Sequence, residues 1–124
     1  MSNRKHVILY VDDDEDCRVA MRQLLHSQGI EMVEASDGES GLRAFSEHSP
    51  DLVIVDLMME EIDSGVNFLR RVRSAGSKVP VYLMSSVGDS LAMTTNAAEL
   101  GFTGVLQKPF SKDWLRSIIQ SQLS

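Results

Sequence analysis

Acidic, hydroxyl and ammonium side chains occur in this sequence at separate points, each directly after a short apolar run. Five consecutive acids, Asp12 to Asp16, follow the first run, and Asp56 follows a later one. Ser85 and Lys108 come after two further runs. Grouped carboxylates suit a hard cation such as Mg²⁺, and a lysine can neutralise charge on a phosphoryl group. These residue types together suit phosphoryl transfer, provided that the fold brings them to one place.

Short apolar runs rich in β-branched residues predict the strands that precede these polar residues. The runs Val7–Val11, 52–55 and 79–84 are apolar at every position, which is typical of strands covered on both faces. Two weaker candidates are Glu31–Ala35 and Gly104–Gln107. The sequence therefore predicts five strands.

Segments with helical spacing of apolar residues separate and follow these strands. Strict alternation of strand and helix predicts an α/β fold with a doubly wound, five-stranded parallel sheet, because each parallel crossover needs a helix-sized connection. The first predicted helix begins at Cys17 and stops at Gly29, and the second begins with a capping box of Ser36 and Glu39 and ends before Pro50. The third has Ser64 as its cap and stops at Gly76. The fourth runs from a cap at Asp89 or Ser90 through Leu100, and the fifth runs from Ser111 through Leu123.

The predicted sheet places the polar residues at one edge. Ligands of open parallel sheets bind beyond the carboxyl ends of the strands, near the point where strand order reverses. Crowded carboxylates there require a compensating cation, so we expect Mg²⁺ as the cofactor. With that cation and Lys108 nearby, Asp56 is the expected nucleophile toward phosphorus, and Ser85 is expected to donate its hydroxyl to a phosphoryl oxygen.

Composition limits the class of protein. The chain has 124 residues with 43% hydrophobic content, so we expect one domain over residues 1–124. A net charge of −6 argues against binding to nucleic acid or to an anionic membrane, because both require surplus Lys and Arg. The apolar runs are too short for a signal peptide or a membrane span, and the lone Cys17 fits a reducing compartment, so we expect a cytoplasmic protein.

The sequence resembles the receiver domains of two-component response regulators over nearly its whole length. The resemblance rests on four motifs: Val11-Asp12-Asp13-Asp14, the run from Pro50 to Met59 that contains Asp56, Val79-Pro80-Val81 leading to Ser85-Ser86, and Lys108-Pro109-Phe110. It implies a (βα)5 flavodoxin-like receiver fold.

The same resemblance implies a role for each site residue. Asp56 is the implied phosphoacceptor, with Ser85 as the switch hydroxyl and Lys108 as the lysine of the last motif. Asp13 is implied to bind Mg²⁺ directly, together with Asp56 and the main-chain carbonyl of Met58. Asp12 is implied to act on the same ion through water.

A receiver of this kind takes a phosphoryl group from a phosphohistidine on a histidine kinase or a histidine phosphotransfer protein. It is not an enzyme toward separate substrates, because the transfer is self-catalysed. Autodephosphorylation is expected to be slow, because neither Met58 nor Val87 can orient an attacking water. The expected readout is contact with a downstream protein through the face built from the fourth helix, fifth strand and fifth helix.

Departures from the family pattern leave two alternatives open. Glu60-Glu61 stands where receivers usually have Pro-Gly, and Val105 replaces the usual switch aromatic, which would suit a receiver-like interaction module that is never phosphorylated. The other alternative is a small hydrolase resembling the haloacid dehalogenase phosphatases. In that hydrolase Asp12 would be the nucleophile and Asp14 the acid, with Ser85 and Lys108 in support.

Overall fold

The computed structural model describes residues 6–56, 64–85, 101–107 and 111–123, and these ranges contain a parallel sheet with helices on both faces. The elements in chain order are β1 (Val7–Val11), α1 (Glu15–Ser27), β2 (Glu31–Ala35), α2 (Gly38–His48), β3 (Leu52–Asp56), α3 (Ser64–Ser74), β4 (Val81–Ser85), β5 (Gly104–Gln107) and α4 (Lys112–Leu123). Helix α4 is the fifth helix of the sequence prediction. The predicted fourth helix lies outside the described residues.

The strand order is β2-β1-β3-β4-β5, and every pairing is parallel. The chain starts at β1, moves outward to β2, and then returns past β1 to β3, so the order reverses between β1 and β3. The predicted doubly wound five-stranded parallel sheet is confirmed, and the reversal point is where such a sheet binds ligands.

Two apolar clusters, one on each face of the sheet, hold the helices in place. On one face Leu9 and Val55 pack with Phe68 and Leu69 of α3. On the other face Tyr10 packs with the buried residues of α1 and α4. Because both faces are covered, all residues of β3 and β4 are buried, which explains why the central strands are apolar at every position.

The edge strands explain why two of the sequence signals were weak. In β2 the burial runs from an exposed Glu31 through partly buried residues to a buried Ala35. In β5 Gly104 and Val105 are only partly buried. A strand with one neighbour needs fewer apolar residues, yet both predicted strands occur with the predicted bounds.

The cap of α2 differs from the prediction by one residue. Asp37, not Ser36, is the N-cap: its carboxylate accepts a hydrogen bond from the Ser40 amide at 2.7 Å, while the Ser40 hydroxyl faces the Asp37 amide at 3.4 Å. The capping box is therefore Asp37 with Ser40, and the Ser36–Glu39 assignment was wrong. A carboxylate is a stronger acceptor than a hydroxyl and also suits the positive end of the helix dipole.

Two other predicted boundaries differ from those of the structure, and two agree with it. Ser64, the predicted cap, is the first residue of α3. The fourth strand begins at Val81, because Pro80 has no amide to donate to a neighbouring strand. Gly29 and Gly76 follow their helices with φ values of 73° and 88°, so both predicted stops are confirmed.

The surface carries one large apolar side chain among the described residues. Trp114 of α4 is 46% exposed. His6, His26 and His48 are exposed, and Cys17 is half-buried against the core. Among the residues that the structure describes, no helix has the length and apolar character needed to cross a membrane.

The corrected cap of α2 gives a direct test. Asp37→Ala should lower the free energy of unfolding by about 1 kcal/mol, whereas Ser36→Ala, one residue earlier, should change it by less than about 0.5 kcal/mol. Urea unfolding followed by circular dichroism measures both. Equal losses in the two variants would contradict the assignment.

The same pair predicts a pH dependence. Hydrogen bonds from the Ser40 hydroxyl and the Ser40 amide hold the pKa of Asp37 below its usual range. The stabilisation by Asp37 is therefore complete above the pKa of the unfolded chain and is lost as pH falls through the lower pKa of the folded state. The stability difference between wild type and Asp37→Ala should shrink in acid, as urea unfolding at several pH values would show.

Candidate metal and phosphoacceptor site

The sheet register brings three carboxylates together at the reversal of strand order. Val11 of β1 pairs with Val55 of β3, so Asp12 and Asp56, the next residues, lie side by side. Carboxylate oxygens of Asp12, Asp13 and Asp56 all lie within 4.8 Å of one another. Asp12 is fully buried and Asp56 is 4% exposed, whereas Asp13 is exposed. The site is thus an acidic cluster with two buried members and one exposed member, Asp13.

Asp12 is fixed by contacts on both of its carboxylate oxygens. The Tyr10 hydroxyl donates to Asp12 Oδ2 at 2.6 Å, and the Asp14 amide donates to Oδ1 at 3.0 Å. The Arg18 guanidinium also donates to the main-chain carbonyl of Asp12 at 2.7 Å. These contacts hold the carboxylate in one orientation toward the other two acids.

Tyr10 remains a hydrogen-bond donor in this setting. Burial raises the pKa of the Tyr10 phenol far above its usual range, and the hydrogen bond to Asp12 and the nearby negative charges raise it further. The phenol therefore stays protonated at any physiological pH, and it presents its proton to Asp12.

The next acids along the chain serve the helix. The Asp14 carboxylate accepts hydrogen bonds from the amides of Asp16 and Cys17, at 2.9 and 3.4 Å, and is the N-cap of α1. Glu15 and Asp16 lie in the first turn of that helix, where the dipole favours negative charge. The cluster of Asp12, Asp13 and Asp56 contains none of these three residues.

The electrostatics of the trio favour a bound cation. Two full negative charges within 4.8 Å of each other repel by about 3 kcal/mol or more at the effective dielectric constant of a protein surface. Burial of Asp12 and Asp56 removes the water that would screen this repulsion. The donor set consists only of carboxylate oxygens, which fits a hard divalent cation such as Mg²⁺ and not a soft metal.

The remaining predicted site residues are placed as far as the described ranges allow. Ser85 is the last residue of β4 and is 1% exposed. Met84, the residue before Ser85, pairs with Asp56 of β3. Ser85 therefore lies at the same edge of the sheet as the acids. Lys108 follows the last residue of β5 but lies outside the described residues, as does Met58.

Sequence reasoning missed two residues that touch the acidic site, Tyr10 and Arg18. Side chains two residues apart on an extended strand lie on the same face, so the spacing of Tyr10 and Asp12 carried a signal. No comparable signal marks Arg18. Its contact depends on where α1 packs, and its side chain also bonds to Glu34 of β2 at 3.3 Å.

Comparison with known proteins identifies the family of this fold and site. The family of response regulator receiver domains matches residues 8–120. The chain belongs to this family. It is therefore a receiver domain of two-component signalling, and such domains are signalling modules and not classical enzymes.

Individual relatives agree over most of the chain. The chemotaxis protein CheY of Bacillus subtilis is 32% identical over 120 residues, which cover 96% of this receiver and 98% of CheY. The probable transcriptional regulator ycf27 of Cyanidium caldarium is 34% identical over 122 residues. This receiver spans about half of that regulator, 48% of its length.

Solved structures agree with the fold. A response regulator receiver domain protein from Clostridium thermocellum superposes with a TM-score of 0.86 at 30% identity, covering 95% of this chain and 94% of that one. The flavodoxin-like receiver fold implied by the resemblance is confirmed.

The geometry disfavours the hydrolase alternative, in addition to the family assignment. In that hydrolase Asp12 would be the nucleophile and Asp14 the acid. The proposed acid, Asp14, instead binds the amides at the start of α1.

Charge crowding in the trio gives a stability prediction. In the presence of a chelator, Asp13→Asn should raise the free energy of unfolding by about 1 kcal/mol, because it removes repulsion with Asp12 and Asp56. The same variant should gain less stability than wild type when Mg²⁺ is added. Urea unfolding with and without Mg²⁺ measures both effects.

Asp16→Asn is the matched control, because Asp16 is an exposed acid of the same segment outside the trio. It should lower the stability by about 0.3 to 1 kcal/mol through the helix dipole and leave the gain from Mg²⁺ unchanged. Equal behaviour of the two variants would show that the trio does not act as a unit.

Proposed function

We propose that this receiver accepts a phosphoryl group on Asp56, with Mg²⁺ held by the acidic trio, and signals through protein contact. The observation that carries the proposal is the convergence of three carboxylates within 4.8 Å at the reversal of strand order, in a chain of the receiver family. An acid that only caps a helix would not need partners from a second strand.

Asp56 is the proposed nucleophile because it ends a fully buried strand and its carboxylate lies within 4.8 Å of that of the exposed Asp13. A carboxylate oxygen of Asp56 forms a bond to phosphorus of a phosphohistidine on a kinase or phosphotransfer protein, and the bond from phosphorus to the imidazole nitrogen breaks. The nitrogen keeps the electron pair and takes a proton from solvent. The product is an aspartyl phosphate.

The other residues of the site position charge around this reaction. We propose Asp13 and Asp56, with the main-chain carbonyl of Met58, as direct ligands of Mg²⁺ and Asp12 as a ligand through water. When bound, Mg²⁺ neutralises the crowded carboxylates and the negative charge on the phosphoryl oxygens. Lys108 is proposed to neutralise charge on the phosphoryl group from the side of β5.

Ser85 is proposed to carry the signal away from Asp56. Its hydroxyl is buried at the end of the neighbouring strand, where it can donate a hydrogen bond to a new phosphoryl oxygen. Movement of Ser85 would shift a pre-existing equilibrium between two arrangements of the face formed by the predicted fourth helix, β5 and α4. Since Val105 has no ring, the readout on this face must use groups other than a switch aromatic.

The proposed partners follow from this scheme. A histidine kinase or a histidine phosphotransfer protein supplies the phosphoryl group, and a downstream protein reads the altered face. We also propose that residues 1–124 form a single receiver domain. The net charge of −6 gives no support to direct binding of nucleic acid by this domain.

Intact-mass measurement after incubation with acetyl phosphate and Mg²⁺ tests the proposed function. The wild type should gain one phosphoryl group, and the gain should disappear in Asp56→Asn and when Mg²⁺ is chelated. Asp16→Asn, which keeps the trio intact, should be modified like wild type.

Two results would oppose the proposal in different ways. A wild type that is never modified would favour the receiver-like interaction module. Continuous turnover of a generic phosphate ester, retained in Asp56→Asn, would favour the hydrolase.

A further inference from the structure

Two buried tyrosines of the same core cluster use their hydroxyls differently. Tyr10 and Tyr82 both pack in the cluster beneath α1 and α4, and they are 0% and 8% exposed. The Tyr82 hydroxyl accepts a hydrogen bond from the Gln122 side chain of α4 at 3.1 Å. The Tyr10 hydroxyl instead donates to Asp12 at 2.6 Å, at the acidic site.

Loss of the hydrogen bond between the Tyr10 hydroxyl and the Asp12 carboxylate would cost free energy. Both residues are fully buried, and a short hydrogen bond to an ionised carboxylate is stronger than a bond between neutral groups. A phenylalanine would fill the same apolar space between α1 and α4 without this bond. The ring of Tyr10 therefore packs in the core, while its hydroxyl serves the carboxylate.

We propose that Tyr10 is a positioning residue for the cation site, which it serves by fixing the orientation of the Asp12 carboxylate. The inference rests on the proposed function, since it requires that the trio binds Mg²⁺. It adds a residue outside the trio to the machinery of the site.

The physical basis is the hydrogen-bonding capacity of the carboxylate. Asp12 offers about four acceptor sites on its two oxygens, and Tyr10 and the Asp14 amide occupy one on each oxygen. The acceptor sites that remain are thereby held in fixed directions. Without the Tyr10 hydroxyl, Oδ2 of Asp12 loses this short bond, and the orientation of the carboxylate is less constrained.

Partners behind a metal ligand commonly contribute to affinity in this way. Their loss typically weakens metal binding by about 10- to 100-fold, because the ligand must then be ordered when the metal binds. Asp12 is proposed to act through water, so we expect an effect at the lower end of this range.

The test compares Tyr10→Phe with Tyr82→Phe. Each variant removes one hydroxyl from the same core cluster, but only Tyr10→Phe removes a bond to the trio. Isothermal titration calorimetry with Mg²⁺ should give a dissociation constant about 10-fold higher for Tyr10→Phe than for wild type. Tyr82→Phe should match wild type. Urea unfolding in chelator would report the structural cost of each change separately.

A double variant shows whether Tyr10 acts through Asp12. In an Asp12→Asn background, Tyr10→Phe should cause no further change in the dissociation constant, because the carboxylate that it orients has been removed. A 10-fold effect that persists in this background would contradict the proposed route.

The outcomes separate the inference from the proposed function. Mg²⁺ binding by wild type with an unchanged dissociation constant in Tyr10→Phe would overturn the inference alone. Equal weakening in Tyr10→Phe and Tyr82→Phe would overturn it as well, because the effect would then be structural. No Mg²⁺ binding by wild type would overturn the proposed function, and the inference with it.

Discussion

Mutual repulsion of Asp12, Asp13 and Asp56 is the constraint on which the rest of the site depends. The three carboxylates come from the ends of two adjacent strands, and two of them are buried. Such an arrangement destabilises the fold that creates it unless a positive charge binds between the carboxylates. In the proposed function, relief of this crowding provides the affinity of the site for a cation.

The scaffold holds these charges in place with ordinary elements. Parallel pairing of β1 with β3 fixes Asp12 beside Asp56, and two apolar clusters keep both strands from shifting. The Asp14 amide and the Tyr10 hydroxyl then orient the most buried acid from either side. The start of α1 has a double use, because Asp14 caps the helix through its side chain and holds Asp12 through its amide.

The sequence was most informative where burial is complete. Central strands are apolar at every position because both faces are covered, so β1, β3 and β4 gave strong signals, and the polar residues after them marked the site. Edge strands gave weaker signals for the opposite reason. The family resemblance added which acid is expected to bind Mg²⁺ directly and which through water, because composition and spacing do not distinguish the two.

Features that depend on side-chain contacts were harder to predict. Ser36 and Asp37 are both good N-caps, and only the backbone of the folded chain decides between them. In the sequence Tyr10 is one more residue of a buried apolar strand, and only the structure shows that its hydroxyl donates a hydrogen bond to Asp12. Trp114 shares the helical spacing of the buried residues of α4 and is nevertheless 46% exposed.

The most direct test of the account is a crystal structure of the protein grown with Mg²⁺ and beryllofluoride, a mimic of the phosphoryl group. The account predicts the cation in the pocket of Asp12, Asp13 and Asp56, with beryllofluoride on the Asp56 carboxylate. A pocket without a cation, or beryllofluoride on Asp12, would contradict it.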